Sequence, residues 1–264
     1  MDRLPVRGPG VRELGLPLPP ARMPLLQRGR PLKRWRWVGL FGPELMLCVA
    51  DARVGPARQR WWAVALPDGE LHEGAGGVRL APGGVRVEGR ISLALEESDG
   101  VEVVSPHGRS WIWTRKQANV PARGGVTLPD GERRVEGEAF VDDSAGYHAR
   151  HTAWRWSAGI GLSDAGERVG WNLVAGIHDD PRASERTVWV EGEPREVGPV
   201  EFAPGLSRVA GLGFEEWCAR EEHVNRLVFR SHYRQPFGSF SGELPGGIAL
   251  AEGFGVMEDH EVRW

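Results

Sequence analysis

The chain has 264 residues, 41% of them hydrophobic, which is enough for one large β domain or two of ordinary size. Its formal net charge of -3 excludes a general attraction to nucleic acid or to an anionic membrane, and its short arginine runs read as ordinary surface charge. The two cysteines, Cys48 and Cys218, are too few for a disulfide framework or a thiolate zinc site.

In chain order, the N-terminal stretch "MDRLPVRGPGVRELGLPLPPARMPLL" is rich in Pro and Gly and has no apolar signal-peptide core. It reads as a disordered arm over residues 1–22, with Met23 a candidate native start. "RWRWVGLFG" follows at Arg34–Gly42; in a strand, its alternation puts Trp35 and Trp37 on one face and Arg36 on the other. "VRVEGRISLALEE" places Val85, Val87, Ile91, Leu93 and Leu95 on odd positions, with polar residues between them, so one face is buried and one wet. A turn at Asp99-Gly100 leads to a further strand. "ARGGVTLPDGERR", near Gly124–Gly137, reads as a turn-rich join between an N-terminal β domain (23–130) and a C-terminal one (131–264). "RTVWVEGEPREVG" predicts a hairpin around Glu191-Gly192, and "NRLVFRSHYR" and "GGIALAEGFGVMEDHEVRW" predict late strands. "LGFEEWCAREEHV" is the one candidate for a short helix, or else a loop. No run of about 18 apolar residues is present to span a membrane, and the cysteine usage fits a reducing cytoplasm.

The expectation is therefore an all-β fold of two antiparallel barrels or half-barrels packed together, with little helix. Such barrels fill their interiors or hold one small ligand. "RWRWVGLFG" and "AWRWSAGIG" match at a constant offset of 119 residues, pairing Trp35 with Trp154 and Trp37 with Trp156. The match points to two similar halves, or to a chance likeness of short motifs. "LPDGE" occurs at Leu66–Glu70 and Leu128–Glu132 with another offset and reads as one turn used twice.

Three blocks, "VDDSAGYHARHTAWRWSAGIG", "VGWNLVAGIHDDPRASERTVWVEGE" and "GFGVMEDHEVRW", resemble an uncharacterised bacterial domain-of-unknown-function family, over roughly Pro24 to Trp264. More distantly the layout resembles the tandem lipocalin-like proteins that include hydroxyneurosporene synthase, a carotenoid hydratase. That resemblance implies two lipocalin-like barrels and, in some members, acid/base chemistry on hydrophobic substrates. Gly253, Gly255 and Glu258 match the final strand of that wider group, and Asp142, Asp143 and Tyr147 its acidic-then-aromatic entry. No full catalytic set carries over, and fold does not fix function.

The residues themselves offer a candidate site. Asp142, Asp143, Tyr147, His148 and His151 crowd ahead of Trp154-Arg155-Trp156, and histidine or a desolvated carboxylate can titrate near neutral pH. On a strand only one of Asp142 and Asp143 need point inward, and the pair could instead stabilise a turn. In "GWNLVAGIHDD", Trp171 shares one face with Leu173, and Asn172 shares the other with Val174 and His178; the second face reads as a cavity wall, or as a wet face on which both polar residues are ordinary. Glu258 and His260 lie near the C-terminus, with Arg36 and Arg155 as possible partners or barrel-end plugs. The candidate catalytic residues are thus Asp142, Asp143, Tyr147, His148, His151, Glu258 and His260, and the candidate ligand contacts Trp154, Arg155, Trp156, Trp171, Asn172 and His178. His148-x-x-His151 lacks a demonstrated third ligand, so no metal is expected. There is no nucleophile elbow, phosphate loop or dinucleotide motif, and no cofactor is expected. The implied partner is a small hydrophobic or amphipathic molecule, held in a Trp-rich cavity of the second half. It is turned over by acid/base chemistry (isomerase, hydratase or cyclase), or carried or sensed without turnover; in a third reading the barrel is filled and structural. The oligomeric state cannot be read.

Overall fold

Runs of β-branched and aromatic residues, cut by Gly-, Pro- and Asp-rich turns, leave this chain little but antiparallel strands. The structure is a computed structural model and describes residues 3–226 and 229–263. The first half comprises β1 (Lys33–Phe41), β2 (Met46–Val54), β3 (Ala57–Ala65), β4 (Leu71–Gly74), β5 (Val78–Ala81), β6 (Gly84–Val87), β7 (Ile91–Leu95), β8 (Val101–His107), β9 (Ser110–Leu128) and β10 (Gly131–Gly146). They are ordered β4-β3-β2-β1-β10-β9-β7-β6-β5, with β8 also on β9. The first strand pairs with the last, and the two edges are neighbours in sequence. The sheet therefore curls into a barrel left open along one seam.

The second half repeats the plan with β11 (His151–Ser163), β12 (Arg168–Ala175), β13 (Thr187–Val190), β14 (Glu193–Glu196), β15 (Gly211–Arg226), β16 (Phe229–Leu244) and β17 (Ile248–Arg263). Their order is β14-β13-β12-β11-β17-β16-β15, so β11 pairs with the closing strand β17 as β1 pairs with β10. The fold is all-β: two lipocalin-like half-barrels packed together. The 119-residue offset relates β1 to β11, which occupy equivalent central positions.

Alternation sorts each strand between two environments. Val38, Leu40, Val49, Val120 and Val141 fill the first barrel, while Trp171, Leu173, Val188, Phe240 and Met257 fill the second. The opposite faces meet between the barrels, where Trp37, Phe41, Cys48, Phe140, Trp156, Ile160, Phe237 and Val256 form a shared core. Trp37 and Trp156 touch edge to face there, ring centroids 5.2 Å apart.

Several expectations are corrected. The stretch 124–137 is no join: Leu128 pairs with Gly131 in a hairpin, and β10 belongs to the first sheet through Gly146. The chain crosses to the second sheet over 147–150 instead. "LGFEEWCAREEHV" is neither helix nor loop but most of β15, whose acidic residues meet cross-strand arginine: Arg234 binds Glu216 and Glu221. "NRLVFRSHYR" is not one strand but the tip of the β15–β16 hairpin, where Arg226 pairs with Phe229; Leu227 and Val228 lie outside the described residues. The described part of the arm is docked rather than disordered. Val6 and Arg7 pair with Val104 and Val103, and Val11 is fully buried beside Trp111, Trp113 and Tyr147. Pro and Gly shape its short 3-10 turn at Gly8–Leu14, and apolar burial holds it down. Arg7 then reaches the second half, donating to the Ser184 carbonyl at 2.7 Å and Thr187 Oγ1 at 2.9 Å. "VRVEGRISLALEE" buries its odd positions as read, but a turn at Gly89 divides it into β6 and β7.

Glycine matters where β11 meets β17. Gly159 faces Gly255, and Gly161 faces Gly253. A methyl group on Gly255 would overlap the Ala158 carbonyl oxygen, and one on Gly159 would overlap the Trp171 ring. The close approach, not an unusual φ, requires these glycines. Gly255→Ala is expected to cost about 1–3 kcal/mol, read as a lowered urea midpoint at unchanged slope; an unchanged midpoint would show that the strand pair relaxes freely.

Candidate functional site

The faces that do not fill the barrels enclose a cavity of about 550 Å³ between them. It is not inside the second barrel, as the sequence reading expects, because Trp171 and its neighbours already fill that interior. The first half contributes Lys33, Trp35 and Trp37 from β1, Trp61 from β3, Lys116 from β9 and Asp142 from β10. Trp154 and Trp156 from β11, Val174 from β12, Ile177, His178 and Glu185 from the following loop, Arg220 from β15, Tyr233 from β16, and Glu258 and His260 from β17 complete it.

Two carboxylates lie at equivalent places. Asp142 sits opposite Trp37 in the β1–β10 register and accepts the Trp35 indole N–H at 3.0 Å. Glu258 sits opposite Trp156 in the β11–β17 register and accepts the Trp154 indole N–H at 2.7 Å. Their companions differ. Lys116, opposite Asp142 on β9, places its ammonium 2.6 Å from Asp142 and 3.4 Å from Glu185. On β16 the corresponding residue is Gln235, whose amide donates to Glu258 Oε2 at 3.0 Å.

Electrostatics follow from these partners. Burial opposes a charged Lys116, but Asp142 and Glu185 outweigh it and hold its pKa above the ordinary lysine value. Burial raises the Asp142 carboxyl, with Lys116 opposing and Glu185 adding to the rise. Burial pushes Glu258 up to about 7, helped by the charge of Asp142 and opposed by the Trp154 and Gln235 hydrogen bonds. Burial brings Lys33 down to about 8, with Glu258 opposing. The Lys33 ammonium lies 4.9 Å from the Trp35 ring and 5.6 Å from the Trp154 ring. Burial and the charge of Lys116 drive His178 down to about 3, and burial likewise keeps His260 neutral.

The structure divides the sequence-predicted site. Asp142, Glu258, His260, Trp154, Trp156 and His178 line the cavity. Asn172 lies behind it, accepting the Trp156 indole N–H at 2.7 Å and donating to the Glu185 carbonyl at 2.8 Å. The remaining candidates lie elsewhere: strand alternation turns Asp143, Arg155 and Trp171 away, and Tyr147 and His148 fall on the crossing between the sheets. Asp143 joins Arg36, Arg115 and Glu97 at the mouth of the first barrel. Arg155 pairs with Asp259 on an exposed face, and Trp171 donates to Ser157 Oγ inside the second barrel. Tyr147 donates to the Pro24 carbonyl at 2.8 Å, and His148 is buried with its ring 5.4 Å from that of Trp35. Both border a separate cleft of about 360 Å³ that also carries Arg28, Arg30, Arg109 and Arg150. His151 sits on the surface beside Glu261, so the His-x-x-His pair is split. Among the described residues no cluster of His, Cys, Asp and Glu is disposed to hold a metal.

Lys33, Lys116, Glu185, Trp61, Arg220, Tyr233 and Gln235 escape the sequence reading. A signal exists for the lysines: the chain carries only two, against 31 arginines, and both line the cavity. Lys116 and Gln235 are also separated by the same 119 residues as the paired tryptophans.

The family model described as a domain of unknown function, DUF2804, matches residues 72–264. The chain belongs to this family. No curated protein matches the chain. Among solved structures it is similar to an AttH candidate from Nitrosomonas europaea, at 13% identity over 93% of this chain and 98% of that one, with a TM-score of 0.43. It is similar to kievitone hydratase from Nectria haematococca at 10% identity over 88% of each chain, with a TM-score of 0.46. CghA gives 13% identity over 94% of this chain and 95% of that one, with a TM-score of 0.41. These are likenesses of outline, and no activity passes from them to this chain. Among the described residues no helix is long and apolar enough to cross a membrane.

The raised Glu258 carboxyl ties stability to pH. Between its ordinary value of 4.5 and about 7 the folded state keeps a proton that the unfolded state has released. Stability therefore falls as pH rises through this window, by about 3 kcal/mol at most once both states are ionised. Glu258→Gln is expected to raise Tm by several degrees at about pH 8 and to leave it nearly unchanged at about pH 5; equal shifts at both pH values would contradict a neutral Glu258 at low pH.

Proposed function

We propose that the cavity between the barrels binds a small, mostly hydrophobic or amphipathic molecule, and that Glu258 transfers a proton to or from it. The observation carrying this reading is a buried carboxyl that titrates near 7 in the wall of a cavity lined by Trp35, Trp37, Trp61, Trp154 and Trp156. Flat aromatic walls supply apolar contact, and a few convergent polar groups orient what they hold. A general acid or base works best when its pKa lies near the working pH. Asp142, held by the Lys116 ammonium, is the second buried carboxyl of the cavity in a different environment, and environments that differ in this way give paired carboxylates different roles.

The polar groups favour turnover over passive carriage. A carrier needs few ionisable groups at depth, since each costs desolvation energy. Here Asp142, Lys116, Glu185 and Glu258 are all buried. Burial also makes a cysteine nucleophile unsuitable: the Cys48 thiol is pushed up to about 12.

Nile red, an uncharged dye that brightens in apolar surroundings, is expected to bind with one site per chain. Ala52 lines the cavity on β2, and Ala52→Trp is expected to weaken binding at least about tenfold by filling space, with an unchanged far-ultraviolet circular dichroism spectrum. Undiminished binding by a folded Ala52→Trp protein would place the dye elsewhere and remove the support for a cavity ligand.

A further inference from the structure

The cavity wall carries several buried N–H or O–H groups without a hydrogen-bond acceptor among the described residues, on Trp37, Trp61, His178 and Tyr233, and two of them, Tyr233 Oη and Trp61 Nε1, belong to adjoining rings. Both atoms are buried, and Tyr233 as a whole is only 7% exposed. A buried donor without a partner carries a desolvation cost that a ligand acceptor would relieve. The two rings are held together: their centroids are 6.2 Å apart, and the Arg220 guanidinium lies 5.3 Å from the Trp61 ring and 5.4 Å from the Tyr233 ring. Arg220 is anchored in turn by Glu222 at 3.1 Å and Glu73 at 3.4 Å. Burial, reinforced by the charge of Glu258, keeps the Tyr233 phenol protonated, and so a donor.

Tyr233 stands beside the residue that holds the titrating carboxyl. Tyr233 and Gln235 share a face of β16, and Gln235 holds Glu258 Oε2 at 3.0 Å. Two residues along a strand span about 7 Å. A carbonyl group and its neighbouring carbon fill such a span when the oxygen is within hydrogen-bond reach of one end and the carbon lies against the other.

We infer that the ligand is a hydrophobic ketone or enone whose oxygen accepts from Tyr233 Oη and Trp61 Nε1, while Glu258 removes a proton from the carbon beside the carbonyl. This rests on the reading of the cavity as a ligand site with Glu258 as its proton-transfer group. The step is balanced within the site. The C–H bond breaks, its proton passes to a Glu258 oxygen, and its electron pair forms a C=C bond as the carbonyl becomes an enolate. The two donors stabilise the negative oxygen, and Glu258 returns the proton to the same carbon or, in an enone, to a conjugated one. Such chemistry needs no oxidant, reductant or second substrate.

The test uses 2-acetonaphthone and 2-ethylnaphthalene, which share an outline and differ by the carbonyl oxygen. In equilibrium dialysis the full chain is expected to bind the ketone about tenfold more tightly, and Tyr233→Phe to remove most of that preference while leaving hydrocarbon affinity alone. Trp61→Phe carries the same test should Tyr233→Phe fail to fold. In D2O, proton NMR is expected to show catalysed loss of the acetyl methyl signal by the wild type and none by Glu258→Gln, which still binds the ketone. Equal binding of the two compounds, or a preference that survives both donor variants, overturns the carbonyl assignment and leaves the ligand cavity standing. Binding of neither compound overturns both. Exchange undiminished in Glu258→Gln removes the proton-transfer role.

Discussion

The arrangement turns on a buried tryptophan N–H meeting a carboxylate on the strand that closes each barrel. Trp35 meets Asp142, and Trp154 meets Glu258. Each contact follows from register: the carboxylate stands opposite the second tryptophan of its Trp-Arg-Trp triplet, and the first tryptophan reaches it diagonally. Slipping either closing strand by one residue would turn the carboxylate into a barrel and bring Asp143 or Asp259 to the cavity instead. The same alternation sends Arg36 and Arg155 to the opposite faces, where they pair with those displaced aspartates.

Within this common frame the two carboxylates differ in their nearest companions. Beside Asp142 stands an ammonium, Lys116; beside Glu258 stands an amide, Gln235. A buried carboxylate with a cation at 2.6 Å has a counter-charge, whereas one with only neutral N–H donors must face desolvation with partial help. Two acids in one cavity are thus given unlike environments by their neighbours. His178, driven far below neutrality, adds a neutral polar edge instead of another charge.

Much of this was legible in the sequence. Period-two alternation in "VRVEGRISLALEE" and in the Trp-Arg-Trp triplets identified strands and faces, and showed that only one of Asp142 and Asp143 need point inward without saying which. The repeated triplet pointed to two similar halves but could equally have been a chance likeness, and the topology is what shows the repeat. What could not be read was which buried face belonged to a barrel interior and which to the space between barrels, because both are apolar. Trp171 and Trp156 look alike in sequence, yet one fills the second barrel and the other lines the cavity. Tyr147, His148 and His151 followed the acidic strand too closely in sequence to seem separate from it, but the chain leaves the first sheet at Gly146 and carries them away. The charges of β15 resembled a helix face because their arginine partner, Arg234, stands on the neighbouring strand and is invisible to local pattern.

The docked arm has a mechanical consequence. Its residues Val6 and Arg7 extend the first sheet, while the guanidinium of Arg7 grips Ser184 and Thr187 on either side of Glu185 in the second half. A segment far from the cavity in sequence thus acts as a tie across the joint. The barrels cannot slide past one another without tearing that grip, and Glu185, the second carboxylate beside Lys116, would be pulled out of line with them. The placing of Glu185 beside Lys116 is in this sense shared with a residue that does not line the cavity.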